Sequence, residues 1–237
     1  MDSSGAREAA RVTRSAQDTT TGDVLAAAGI APDRVGSART ARLREPEQAV
    51  YHWILRSFAA GRPPEPSALA GECARHGVSL RRLLEVLARE DLVHADESGG
   101  IVVAYPFSGR PTPHRVLLDG HEVFAMCAID ALGAAPMLDR PTEVISTDPV
   151  DGQEIRVSLS PDGSASWQPE QAVVVTGRAC DGEAFRGCCQ VLNFFASPGN
   201  AEHYLRRRTD VSGFQVSIPQ AIESGRLIFG RVLAASL

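Results

Sequence analysis

The stretch SLRRLLEVLAREDLVHADESGGIVV, residues 79–103, decides how the first half of this chain is read. Leu80, Leu83, Leu84 and Leu87 recur at i, i+3, i+4 and i+7, the spacing that lines one face of an α-helix, and Ser79 stands where an N-cap belongs. Leu92-Val93, the Gly99-Gly100 turn and the β-branched run Ile101 to Val103 then predict a hairpin. Toward the N-terminus, Ser67 can cap a helix that carries Leu69 and Cys73 and stops at Gly77. Before it, Val50, Trp53, Ile54 and Phe58 mark a helix ended by Gly61-Arg62-Pro63-Pro64. Three helices followed by a two-stranded wing predict a winged-helix-like domain over residues 46–108. Residues 1–45 are rich in Ser, Thr, Ala, Gly and Arg, with one short helical candidate near Asp23 to Ala28, and read as a largely disordered tail.

Residues 109–237 read as an α+β unit, a mixed and largely antiparallel sheet with flanking helices. Val116-Leu117-Leu118 and His121-Glu122-Val123 flank the hairpin turn Asp119-Gly120. A helix is expected from Val123 to Ala134, limited by Pro136. Strands are expected at 142–147, 153–159, 171–176, 186–195 and 213–217. Ser197-Pro198 reads as an N-cap and first helical position, opening a helix through Glu202 to Arg207, and a last helix starts near Pro219.

The bulk properties narrow the function. The formal charge is −5 and all 24 basic residues are arginine. A nucleic-acid binder usually presents a net positive face, and Arg81, Arg82 and Arg89 on the third helix alternate with Glu85, Glu90 and Asp91. The winged pattern is therefore read as a structural or docking element, since a fold does not fix a function. No apolar run approaches the roughly 18 residues a membrane span requires, and Met1 to Thr21 holds no apolar signal core. A cytoplasmic protein, not engaged with a membrane, is expected.

Five cysteines, an odd number with no CxxC pair, suit neither a disulfide framework nor a structural zinc site. Two clusters can carry chemistry. Cys127-Ala128-Ile129-Asp130 puts a thiol and a carboxyl at i, i+3 on the expected helix, hence on one face. Gly187-Cys188-Cys189 opens an apolar strand ending in Phe194-Phe195, and alternation lets only one of the two thiols face a given site. Taken alone, Cys127-x-x-Asp130 is also explained by a buried cysteine beside a capping or salt-bridged aspartate.

Taken together, the segment Phe124 to Gly133 (FAMCAIDALG) and the segment Cys189 to Ser197 (CQVLNFFAS) resemble the active-site segments of the alkylmercury (organomercurial) lyases, in the same order. The resemblance covers about residues 46–237. It implies protonolysis of the C–Hg bond of R–Hg⁺, giving RH and Hg(II), with two cysteines and one aspartate as the catalytic and mercury-binding set. The first cysteine and the aspartate carry over onto Cys127 and Asp130. An alignment without a gap from Phe194-Phe195 carries the second onto Cys189, with Cys188 as the alternative. It implies no required cofactor, external thiols for release of Hg(II), and mercuric reductase as a partner. Some members carry a further cysteine before the Asp151-Gly152 turn, where this chain reads Thr147-Asp148-Pro149. The rival readings are a non-catalytic soft-metal (mercury) binding protein, which has no use for a positioned acid, and a thiol-based winged-helix metal sensor.

Overall fold

The computed structural model describes residues 19–179 and 189–233. Helices α1 (Thr21–Ala27), α2 (Glu45–Ala59), α3 (Pro66–Arg75) and α4 (Leu80–Arg89) come first, then five strands: β1 (Val93–Ala95), β2 (Ile101–Ala104), β3 (Phe107–Ser108), β4 (Arg115–Leu118) and β5 (His121–Ala125). Helix α5 (Ala128–Leu138) separates these from β6 (Thr142–Thr147), β7 (Glu154–Leu159), β8 (Ala165–Gln168) and β9 (Val173–Ala179). The chain ends with β10 (Phe194–Phe195), α6 (Pro198–Arg207), β11 (Val211–Ser217) and α7 (Ile218–Phe229).

The architecture is α+β. Eight antiparallel strands form one sheet in the order β1-β2-β3-β5-β4-β6-β7-β8, and three more form a second, β10-β9-β11. One-sided burial shows in the strand residues themselves: in β7, Ile155, Val157 and Leu159 are buried while Glu154, Arg156 and Ser158 face out, the period-two alternation of a sheet with one wet face. The β4–β5 turn forms where Asp119-Gly120 stands, both residues having positive φ (50° and 78°) as a type I′ hairpin turn requires.

Three expectations are corrected. The stretch read as a disordered tail is built into the fold from Thr19 onward. Thr20 and Asp23 form a capping box that starts α1, which buries Val24 and Leu25. Thr176 Oγ1 donates to the carbonyl of Val24 at 3.0 Å, and Gln220 Nε2 to that of Thr19 at 3.0 Å. The helix expected near Asp23 to Ala28 is thus present, and what composition hid is that Val24, Leu25 and Ala28 are covered by the rest of the fold. Second, Val123 to Ala125 belong to β5 and not to the following helix, which begins at Ala128 and runs through Pro136 to Leu138. Pro136 lacks the N–H that would bond the Leu132 carbonyl, and the helix ends two residues later at Leu138. Third, of the strand expected over 186–195 only Phe194–Phe195 is strand among the described residues, and 186–188 lie outside them.

The three helices expected over 46–108 form as α2, α3 and α4 and are followed by the β1–β2 hairpin, but the hairpin is not a separate wing. β2 pairs with β3 and β3 with β5, so the sheet runs through the boundary expected at 108.

Helix α5 lies at the centre. Its residues from Ala128 to Ala135 are all buried, so it is apolar on every side and must be covered on every side. Helix α7 supplies one cover by close approach. A Cβ built on Gly225 would stand 2.8 Å from the backbone N of Gly133 and 2.9 Å from the carbonyl O of Ile129, and one built on Gly133 would lie 2.3 Å from the Phe229 ring. Gly225→Ala is expected to destabilise the protein by about 1–3 kcal/mol through overpacking, despite alanine's better helix propensity. Gly71→Ala, in α3 with nothing within 4 Å of the new methyl, is expected to stabilise by about 0.5–1 kcal/mol. Denaturant unfolding of the two variants, showing opposite signs, checks the packing.

Candidate active site

The site assembles where three segments are stitched by backbone hydrogen bonds. Met126 N–H donates to the carbonyl of Pro106 at 3.0 Å, and Ala128 N–H to that of Leu192 at 2.9 Å. The segment preceding α5 is thereby held between the Tyr105-Pro106 segment and the one that follows Cys189.

Cys127 is the N-cap of α5. Its backbone is extended (φ −154°, ψ 178°), and its Sγ accepts from the backbone N–H of Asp130 at 3.5 Å. The i, i+3 pairing read from the sequence thus holds for a different reason: the two residues share an N-terminal cap and not a mid-helix face. A helix N-terminus presents unpaired N–H groups and the positive end of the macrodipole, which favours negative charge on this sulfur.

The structure brings Cys127, Asp130 and Cys189 together. The two sulfurs and a carboxylate oxygen lie within 4.8 Å of one another. Cys127 and Asp130 are buried (2% and 6% exposed), while Cys189 is half-buried, so the cluster meets solvent from the Cys189 side. Burial pushes the Asp130 carboxyl up to about 7, against the smaller opposing effects of its hydrogen bond to Cys127 and of the Arg39 charge. Among the described residues Asp130 Oδ2 has no hydrogen-bond partner. A dry carboxyl of this kind can hold a proton at neutral pH and give it up to a neighbour. Cys188, the alternative second thiol, and Cys180 lie outside the described residues. Cys73 is buried in the core on α3, away from the cluster.

The aromatic neighbours divide between two roles. Phe194 and Phe195 are fully buried core, Phe194 against the His114 ring and Phe195 against that of Tyr204. Phe124 and Met126 are half-buried. Behind the Phe-Phe strand, in the region where some family members carry a further cysteine, Asp148 is buried. It accepts from Ala196 N–H at 2.7 Å and from Asn200 Nδ2 at 2.7 Å, locking β10 and the start of α6 to the β6–β7 connection.

Two residues beside the cluster escaped the sequence reading. Tyr105 Oη lies 3.9 Å from Cys189 Sγ. The Arg39 guanidinium sits over the rings of Tyr105 (5.7 Å) and Phe229 (5.3 Å). No spacing rule flags a tyrosine after a short strand, and Arg39 lay in the stretch dismissed as a tail.

Comparison with known proteins agrees with this geometry. The sequence pattern of the MerB family, described as alkylmercury lyase, matches residues 107–230. The alkylmercury lyase of Bacillus cereus is 32% identical over 180 residues, covering 76% of this chain and 80% of the relative. That of Staphylococcus epidermidis is 30% identical over 183 residues, covering 77% and 82%. The crystal structure of the mercury-bound form of MerB2 shares the fold at a TM-score of 0.67 and 21% identity, covering 83% of this chain and 95% of that one. With a thiol–carboxyl–thiol cluster inside the matched fold, the chain belongs to the alkylmercury lyase family.

Proposed function

We propose that this protein is an organomercurial lyase that protonolyses R–Hg⁺ to RH and Hg(II), with Cys127 and Cys189 as the mercury-binding thiols and Asp130 as the proton donor. The observation that carries the reading is the convergence of two sulfurs and one buried carboxyl within 4.8 Å.

The chemistry follows from the donor set. Hg(II) is a soft cation that prefers sulfur to oxygen or nitrogen. Cys127 sulfur bonds to mercury as its thiol proton passes to the Asp130 carboxylate. Cys189 sulfur, its own proton released to solvent, then adds to the metal and weakens the Hg–C bond. The electron pair of that bond leaves with carbon, which takes the proton from Asp130. Hydrocarbon departs, Hg(II) stays on the two sulfurs, and the carboxylate is restored. The two sulfurs and the acid supply every group this scheme uses, so no organic cofactor enters it. Thiols from outside, or the thiol pair of a partner such as mercuric reductase, remove Hg(II) by ligand exchange. That need sets the reaction in a thiol-rich compartment, the cytoplasm. No helix of the described residues is long and apolar enough to cross a membrane. The winged-helix-like unit of residues 46–108 serves as a scaffold in this reading, because its hairpin supplies the first strands of the sheet beside Tyr105.

Cys127→Ser and Cys189→Ser are each expected to lower benzene release from phenylmercury, assayed with excess thiol, by at least about a hundredfold; full turnover by either removes that cysteine from the site. Asp130→Asn is expected to bind phenylmercury and stop there, giving a stable protein–phenylmercury adduct by native mass spectrometry. The pH dependence has a definite sign. Only the protonated carboxyl can donate, and burial places its loss of a proton near 7, so single-turnover cleavage of a preformed adduct is expected to fall as pH rises through about 7. A rate still rising between pH 7 and 9 would contradict Asp130 as the donor.

A further inference from the structure

The Tyr105 hydroxyl points at the more exposed of the two sulfurs, 3.9 Å from Cys189 Sγ. Its ring is gripped from several sides. Arg39 covers one face, the His94 ring meets it edge-on with centroids 6.4 Å apart at 86°, and the residue is 6% exposed. Its backbone is fixed as well, with the N–H donating to the Leu92 carbonyl at 3.1 Å and the carbonyl accepting from Tyr51 Oη at 3.4 Å. The gripping groups are themselves tied to one residue. His94 Nε2 lies 2.8 Å from Asp91 Oδ1, and Arg39 Nη2 donates to the Asp91 carbonyl at 3.3 Å.

Cys189 is the contrasting case. It is half-buried and lies before β10, outside either sheet. A cysteine side chain has one rotor with three staggered wells, and from a given backbone only some of them direct sulfur toward Cys127 and Asp130. Resting on the lyase reading above, we propose that Tyr105 is a positioning residue: its hydroxyl donates to Cys189 sulfur and selects the rotamer that brings the second thiol to mercury already held by Cys127. An ordinary phenol holds its proton at neutral pH, so the hydroxyl has a proton to donate. The first capture of R–Hg⁺ on Cys127 does not need Tyr105, whereas delivery of the second sulfur does. The residue therefore acts on cleavage and not on binding.

The test uses the full chain carrying Tyr105→Phe, which keeps the ring and removes the hydroxyl. With one equivalent of phenylmercury, single-turnover benzene release is expected to fall about tenfold or more, in line with the sensitivity of such steps to misplacement of about 1 Å. Adduct formation by native mass spectrometry is expected to be unchanged. In the Hg(II)-loaded protein the sulfur-to-mercury charge-transfer band is expected to move to longer wavelength as sulfur loses a donor, a change that mere loosening of the fold does not produce. Tyr204→Phe, which removes a half-buried hydroxyl that accepts from Arg208 Nη1 at 3.2 Å, is the control and is expected to cleave at close to the parent rate. Should Tyr105→Phe fold poorly, a ring-fluorinated tyrosine at position 105, a stronger donor of nearly the same shape, is expected to move the band the opposite way. A parent cleavage rate in well-folded Tyr105→Phe, an equal loss in Tyr204→Phe, or an unmoved band overturns the inference. If the unaltered protein releases no benzene at all, it is the lyase reading that fails.

Discussion

The N–H of Ala128 reaches the carbonyl of Leu192 across 2.9 Å, and that bond ties the first turn of a buried helix to the segment carrying a cysteine from far along the chain. Ala128 N is one of the orphan donors at a helix start, which must find a partner when buried. Here the partner is the backbone just beyond Cys189, and the next orphan but one, Asp130 N–H, finds Cys127 sulfur. The ordinary need to satisfy a buried helix terminus therefore also brings the two thiols and the acid to one place. Cutting either bond would free a helix end and separate the site together.

The same burial sets the acid. Because desolvation raises the Asp130 carboxyl from 3.8 to about 7, the fold keeps its full stability, as far as this group is concerned, below the unfolded value. It loses on the order of 4 kcal/mol as pH rises from there through about 7. A marginally stable domain can bear that only if the surrounding core is well packed. The Gly133–Gly225 approach of α5 and α7 and the fully buried Phe194 and Phe195 supply such packing on separate sides. They are core packing in their own right, and contact with the organic group is not needed to explain them.

Local signals in the sequence reached the elements that obey them. Leu80, Leu83, Leu84 and Leu87 marked α4, Asp119-Gly120 marked its hairpin, and Ser197-Pro198 marked the start of α6, because caps, turns and stripes depend on neighbouring residues. Tertiary context decided the rest. Val123 to Ala125 can join a helix by pattern and become strand because β4 offers a ladder. The short helix expected near Asp23 to Ala28 forms as α1, but only the cover of β9 shows that it belongs to the core. At the site, the two short segments named Cys127, Asp130 and Cys189, and the fold brings these three together; their catalytic roles belong to the proposed function. Tyr105 and Arg39 were not, since they act through the direction of one hydroxyl and one guanidinium, which no local pattern records.

The form of the site also separates a lyase from a protein that only holds mercury. A thiol pair suffices to bind a soft cation, and for that purpose an aspartate beside it is a burden. Its charge is costly in a dry pocket, its Oδ2 finds no partner among the described residues, and an asparagine or leucine of similar volume would spare the fold that cost. A positioned acid brings a benefit only when a bond to carbon must be broken and the carbon must leave with a proton. On the proposed function, the stability given up at Asp130 serves that proton transfer, and the acid lies within 4.8 Å of both sulfurs in the first turn of α5.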